Sequence, residues 1–338
     1  MKNKINIIAE IGVNHDGSIS KAKKMIKLLS NLDIDAIKIQ AYTTEQLASK
    51  NAELANYQKK SVPKFKDQFE MLKKYELSKK EILELDKFCN KYKQNLIASV
   101  FSVEDFQKIK DLSKKQIKIP SGELLNYELI NIALDKYEEV ILSTGLSDLD
   151  EIKKMIENIK KKRKNLEGIA ILHCTSSYPC PEDEVNIAAI KLLKKEFNIK
   201  VGYSDHTIGS IASVMAISLG AKIIEKHVTL DDQCEGPDHK ASTNMSDFKD
   251  FVSDLRTAEK MLGDGNKTIQ QSAIKNKKIV EKSIYSKEKI SKGEKFTIEN
   301  LQFLRPGGGI PPEKISDLVG KIASRDYFPG EILNKKEL

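Results

Sequence analysis

Tryptophan is absent from the 338 residues, and histidine is scarce, with five. No apolar run approaches the ~20 residues that span a bilayer. The apolar stretch in the opening "MKNKINIIAEIG" is too short for a signal peptide and enters a strand-like pattern at once. A cytoplasmic protein with no membrane partner is expected. Four cysteines occur, Cys89, Cys174, Cys180 and Cys234, with no CxxC spacing. They read as reduced, mostly buried thiols, with a Cys174–Cys180 pair open but not demanded. Also missing are HExxH, a GxGxxG opening a helix, and GxxxxGK[ST], so metalloprotease, dinucleotide and nucleotide-triphosphate readings have no support.

What is present suits one large domain with an appendage. Hydrophobic residues make up 40% of the chain, enough for a sizeable core. The net charge of +8 is mostly lysine on helix-like faces such as "IKKMIENIKKKRKNLEG", where a solvated surface is the ordinary meaning. A basic balance also suits a small anionic substrate and does not single out nucleic acid, which is not expected as a partner.

Eight β-rich runs alternate with helical patterns, at 5–12, 36–40, 96–101, 116–121, 139–144, 168–175, 199–205 and 222–229. Near-continuous apolar strands between amphipathic helices mean a parallel sheet covered by helices. Eight such units fit an eight-stranded α/β barrel. The gap between the second and third runs is about 55 residues and reads as an inserted loop able to fold over a site. The barrel pattern covers 1–265, and 266–282 reads as a polar connector. Residues 283–338, rich in Gly and Pro turns, read as a small separate domain, marginal alone.

Active sites of such barrels lie at the carboxyl ends of the strands. Those ends carry Glu10, Lys38 with Gln40, Ser99, Lys118 with Ser121, Ser143, His173 with Tyr178, Ser204 with His206, and Glu225 with His227. An ammonium inside "AIKIQ" or "QIKIP" is costly unless an anion meets it. The hydroxyl residues singly read as helix caps, and beside two lysines as a phosphate cradle. His206 and His227 read either as satisfied core histidines or as two ligands of one divalent ion at neighbouring strand ends. A barrel aldolase, which would need one buried lysine for a Schiff base, and a non-catalytic binding protein remain as rival classes.

The stretches "AEIGVNHDGS", "IKIQAYT", "KIPSGELLNY", "ILSTG", "YSDHT", "IEKHVTL", "GPDHKAS" and "SKGEKFTIENLQFLRPGGGI" run in order along nearly the whole chain. Together they resemble the sialic acid synthase family. The resemblance implies a (β/α)8 TIM barrel followed by an antifreeze-like (SAF, β-clip) domain, in a domain-swapped homodimer. It implies condensation of phosphoenolpyruvate with an N-acetylated hexose to give a nine-carbon 2-keto sugar acid. By the same resemblance His206 and His227 hold a divalent metal, Mn²⁺ first, with Mg²⁺ or Co²⁺ as substitutes. Lys38, Ser99, Lys118, Ser121, Ser143 and Ser204 match phosphoenolpyruvate-binding positions. Gln40, Tyr178, Asp238 and Arg305 match sugar-binding ones, with Arg305 reaching the partner's site. Asp16 and Glu123 match acid/base positions. The sugar expected first is N-acetylmannosamine, giving N-acetylneuraminate. A legionaminate precursor, 2,4-diacetamido-2,4,6-trideoxymannose, comes next, and a pseudaminate precursor after it.

Overall fold

In the computed structural model, which describes residues 4–163 and 165–338, eight parallel strands lie side by side in chain order and close on themselves. They are β1 (Asn6–Gly12), β2 (Ala36–Ala41), β3 (Leu96–Val100), β4 (Gln116–Ile119), β5 (Glu139–Ser143), β6 (Ile169–His173), β7 (Lys200–Asp205) and β8 (Ile223–Thr229). Closure is made by β1 on β8, with Ile8 opposite Glu225 and Glu10 opposite His227. A short strand β9 (Thr243–Asn244) adds to the end of β8. The strands are buried almost throughout, which is why they read as continuous apolar runs.

The helices follow their local signals. In the helix Leu149–Lys162 the Asp148 side chain accepts from the Glu151 amide, and the Glu151 carboxylate accepts from the Asp148 amide. Lysines fill its last turn, against the negative end of the helix dipole. Ile152, Met155, Ile156 and Ile159 fall on one face at helical spacing and are buried against the barrel core.

Inside the barrel, Ile8, Ala36, Ile97, Ile141, Ala170, Leu172 and Ile223 form an apolar plug. Side chains alternate across a strand, so the next inward position lies two residues on. One step above the plug those positions are Glu10, Lys38, Ser99, Ser143 and Glu225. The sequence thus changes from apolar to charged within one pleat, and the charged layer faces the carboxyl-end mouth.

Residues between β2 and β3 are not a bare loop. They form short helices at Thr44–Leu47, Asn56–Ser61 and Gln68–Tyr75, followed by the longer helix Lys79–Lys91. Leu54, Val62, Met71 and Tyr75 pack with Val13 and Tyr42 into a small core of their own. Glu76 ties the segment down, accepting from the Thr44 amide (3.1 Å) and pairing with Lys108 (2.8 Å). The polar composition of this stretch masks its helical order in the sequence, because most of its apolar residues serve a local cluster.

The first compact unit ends at Gly263, and the second spans Asp264–Leu338. In the second, β10 (Ser283–Ser286) pairs antiparallel with β11 (Leu301–Leu304). Ile284, Ile290, Phe296, Ile310, Leu318, Tyr327 and Leu333 make its core. The stretch read as a connector contains a helix, Gln271–Val280, none of whose residues is buried. No helix among the described residues is long and apolar enough to cross a membrane.

Candidate active site

The charged layer above the plug is a four-member ion cluster. Lys38 Nζ lies 2.9 Å from Glu10 Oε2 and 3.7 Å from Glu225 Oε1, and donates to Ser99 Oγ at 2.8 Å. Lys118 Nζ donates to both Glu225 oxygens at 2.9 and 3.0 Å, and Ser204 Oγ donates to Glu225 Oε1 at 3.0 Å. All four charged residues are at most 4% exposed. Burial pulls the Lys38 ammonium down, but Glu10 and Glu225 outweigh it and hold its pKa above the usual value. Burial pushes Glu225 up, and the two lysines overcome it, bringing its pKa to about 2. For Lys118 burial prevails over Glu225 and its pKa is lowered. For Glu10 burial prevails over Lys38 and its pKa is raised. Within the cluster, burial thus weighs most against the charges of Glu10 and Lys118.

Above this floor stand the two imidazoles, with ring centroids 5.7 Å apart. His206 Nδ1 lies 2.7 Å from the Thr175 carbonyl, so Nδ1 carries the hydrogen and Nε2 keeps its lone pair. His227 Nδ1 is buried with no hydrogen-bond partner. Burial lowers the pKa of His206 to about 4 and that of His227 well below its ordinary value, so both rings are neutral. Two neutral imidazoles, His227 with an unpartnered Nδ1 and His206 with an Nε2 that meets only the Ser204 hydroxyl at 3.4 Å, fit a divalent cation. No cluster of three or more His, Cys, Asp or Glu side chains able to hold a metal occurs among the described residues. Water or substrate oxygens would therefore complete the shell. Tyr178 packs on His206 at 4.1 Å between centroids and fixes the ring plane.

A cavity of about 280 Å³ joins these groups. It is lined by every predicted phosphoenolpyruvate position: Lys38, Ser99, Lys118, Ser121, Ser143 and Ser204. Gln40, Tyr178 and Asp238 line it too, with both histidines. Ser143 Oγ is buried without a partner. Ser121 Oγ accepts from the Gly145 amide at 3.0 Å, and a Cβ at Gly145 would stand 2.5 Å from Ser176 Oγ, so only glycine leaves this corner open. Burial raises the Asp238 carboxyl to a pKa of about 7, aided by Glu10, and its Oδ2 lies 3.7 Å from His227 Nδ1.

Three predicted residues do not line this cavity. Asp16 pairs with Lys21 and with His239 Nε2, the latter at 2.9 Å. Glu123 sits in the turn Ser121–Glu123 and accepts from Asn126 Nδ2 at 2.9 Å. Arg305 belongs to the second unit and is exposed. Conversely, Glu10 and Glu225 stood out at strand ends without a role, and the period-2 rule places Glu225 on the same face as His227. Tyr57, Gln58, Met71, Leu72 and Tyr75, from the inserted segment, also line the cavity, and no local pattern marks them.

The family model described as the NeuB family matches residues 25–267, and that of the SAF domain matches 281–338. An N,N'-diacetyllegionaminic acid synthase of Campylobacter jejuni is 38% identical, over 97% of this chain and 98% of its own. A pseudaminic acid synthase of the same species is 36% identical over 99% and 96%. The solved structure of the N-acetylneuraminic acid synthetase of Leptospira borgpetersenii is 32% identical with a TM-score of 0.70, covering 81% of this chain and 90% of that one. A barrel with a cationic floor under paired imidazoles, matched in family across both of its units, makes this chain an enzyme of the NeuB family with a C-terminal SAF domain.

Proposed function

We propose that the enzyme condenses phosphoenolpyruvate with an N-acetylated hexose and water, giving a nine-carbon 2-keto sugar acid and phosphate. The observation that carries this reading is the buried Glu10–Lys38–Glu225–Lys118 floor beneath His206 and His227. Lys38 and Lys118, with the hydroxyls of Ser99, Ser121, Ser143 and Ser204, hold the phosphate and carboxylate of the enol phosphate. Fixing it beside a second reactant is worth roughly 7–11 kcal/mol of barrier. His206 and His227 hold a divalent ion, Mn²⁺ first, which when bound supplies Lewis-acid polarisation of the sugar's aldehyde oxygen. C3 of phosphoenolpyruvate attacks the aldehyde carbon, water adds at C2, and C–O cleavage releases phosphate. Asp238, whose carboxylate lies beside His227, can hold or return a proton at the sugar. Gln40 and Tyr178 orient the sugar.

The aldehyde end must meet the floor, so the far end of the hexose reaches the inserted segment. N-acetylmannosamine, the sugar that the sequence motifs put first, would present hydroxyls there. The inserted segment offers apolar surface from Leu47, Met71, Leu72 and Tyr75 for a methyl group, and polar atoms from Tyr57, Gln58 and Gln68 for an acetamido group. We therefore place 2,4-diacetamido-2,4,6-trideoxymannose ahead of N-acetylmannosamine, in line with the legionaminic acid synthase relative. A domain-swapped homodimer, in which the partner's Arg305 serves this cavity, belongs to the same proposal.

Phosphate release from phosphoenolpyruvate, measured with each sugar before and after chelation and Mn²⁺ return, tests it. Sugar-dependent release that chelation abolishes is expected. Covalent trapping of pyruvate by borohydride, or release indifferent to sugar and metal, would replace this reading with an aldolase or a hydrolase.

A further inference from the structure

Residues 231–241, between β8 and β9, carry Pro237 and Asp238 to the cavity. The start of this loop is tied by Asp231 to Thr229 Oγ1, by the Asp232 amide to Asn244 Oδ1 (2.9 Å) and by Glu235 to Lys64, and two further sets of ties hold the stretch around Asp238. Asn14 Nδ2 donates to Ser242 Oγ (2.8 Å) and to the Val228 carbonyl (2.9 Å), and Ser242 Oγ donates to the Asp238 carbonyl (2.6 Å). The second set runs through His239, which is 1% exposed. Its Nδ1 lies 2.7 Å from Thr229 Oγ1 and its Nε2 lies 2.9 Å from Asp16 Oδ1. The ring thus bridges the threonine hydroxyl and the carboxylate through its two nitrogens. Gly236 packs on the ring so closely that a Cβ there would stand 2.3 Å from His239 Cδ2. Asp16 is itself fixed, by Lys21 and by a backbone turn at φ 53, in the left-handed region, where its amide donates to the Val13 carbonyl (3.0 Å).

The geometry points to Asp16, His239 and Thr229 as a positioning relay: it clamps the 231–241 loop between the β1 turn and the end of β8, and so keeps Asp238 against His227. Asp16 acts on the reaction through Asp238 and not as a base. The inference rests on the reading that Asp238 meets the sugar. Without the carboxylate, His239 loses the partner of its Nε2 and keeps only Thr229, so the stretch next to Asp238 loses its tie to the β1 turn through the ring. Asp238 then samples positions away from the sugar, while the phosphoenolpyruvate floor, built on other strands, is untouched. Asparagine at position 16 still offers Oδ1 as an acceptor, so it preserves the clamp.

The test compares wild type, Asp16→Ala and Asp16→Asn by steady-state kinetics for both substrates and by amide hydrogen exchange of residues 232–241. Asp16→Ala is expected to raise the sugar KM about tenfold or more, the scale of a misplaced positioning group, to leave the phosphoenolpyruvate KM unmoved, and to speed exchange in the loop but not in β1–β8. Asp16→Asn is expected to stay close to wild type in all three. Equal losses of kcat in both variants with unchanged KM values would make Asp16 a proton-transfer group and overturn the relay. So would an unchanged sugar KM together with unchanged loop exchange in Asp16→Ala. Wild-type protein that releases no phosphate with any sugar would sink the proposed reaction instead. The exchange comparison alone would then decide the relay, faster loop exchange supporting it and unchanged exchange overturning it.

Discussion

Lys38 and Lys118 are tolerable inside the barrel because Glu10 and Glu225 face them from the two strands that close it. A buried charge without such a partner costs several kcal/mol. The residue whose protonation differs most usefully from its ordinary state is Asp238. Its folded pKa of about 7 lies above the ordinary 3.8, so the folded state holds that proton more tightly than the unfolded chain. The resulting stabilisation is complete below about pH 4 and is lost as pH rises to about 7. Asp238→Asn lacks the titration. Relative to wild type it should gain stability over that window, on the order of 4 kcal/mol at most. Urea unfolding of chelated protein at pH 5 and pH 8 measures this; a difference between the two proteins that does not grow with pH would contradict the assignment. The same residue, in "GPDHKAS", is marked in the sequence as a sugar-binding position by resemblance, but its proton affinity is not. Its proton affinity comes from burial and from Glu10, which is far away along the chain.

At the level of elements, the strand ends of β7 and β8 show how alternation sorts neighbouring side chains. Ser204, His206, Glu225 and His227 line the cavity, while Asp205 and Lys226 point the other way. Lys226 pairs with Asp205 at 3.1 Å, lies over the Phe251 ring, and donates to the carbonyls of Thr207 and Gly209. Asp205 also accepts from Thr207 and from Ser213. The pair therefore sets the turn that follows His206. Lys226→Met leaves Asp205 buried and unpaired and should cost about 3–5 kcal/mol of stability. Adding Asp205→Asn should recover much of it, because the stranded charge is then gone. Chemical denaturation of the single and double variants checks this, and a single-variant loss under about 1 kcal/mol would contradict it. Strand positions were readable from apolar runs, and with them the mouth where the lysines and histidines meet. The inserted segment was not, since its apolar residues pack on Val13 and Tyr42 and follow no long period.

For the whole molecule, each unit has its own core. The second keeps a helix, Gln271–Val280, with none of its residues buried and with Ile274 and Ile279 exposed. The proposed swapped dimer makes a direct prediction. His227→Ala lacks a metal-binding imidazole, and Arg305→Ala lacks the arginine offered to the partner. Neither homodimer should turn over. Mixed dimers unite an intact barrel with an intact arginine in one of their two sites, so unfolding, mixing and refolding the two variants should restore sugar-dependent phosphate release. A mixture as inactive as its components, with mixed dimers present by native mass spectrometry, would place Arg305 in its own chain's site or outside any.

The sequence by itself determined the eight strands and their helices, because hydrophobic periodicity is local and each run reports its own burial. It also determined the ring of lysines, hydroxyls and imidazoles, because in a closed parallel barrel all strand ends of one kind must meet at one mouth. Only the tertiary structure decided which carboxylates join that ring. Glu10 and Glu225 enter it, while Glu123 bonds to Asn126, and Asp16 bonds to Lys21 and to the distant His239. That choice depends on distances across the closed barrel and between loops far apart in the chain, and such distances leave no period in the sequence.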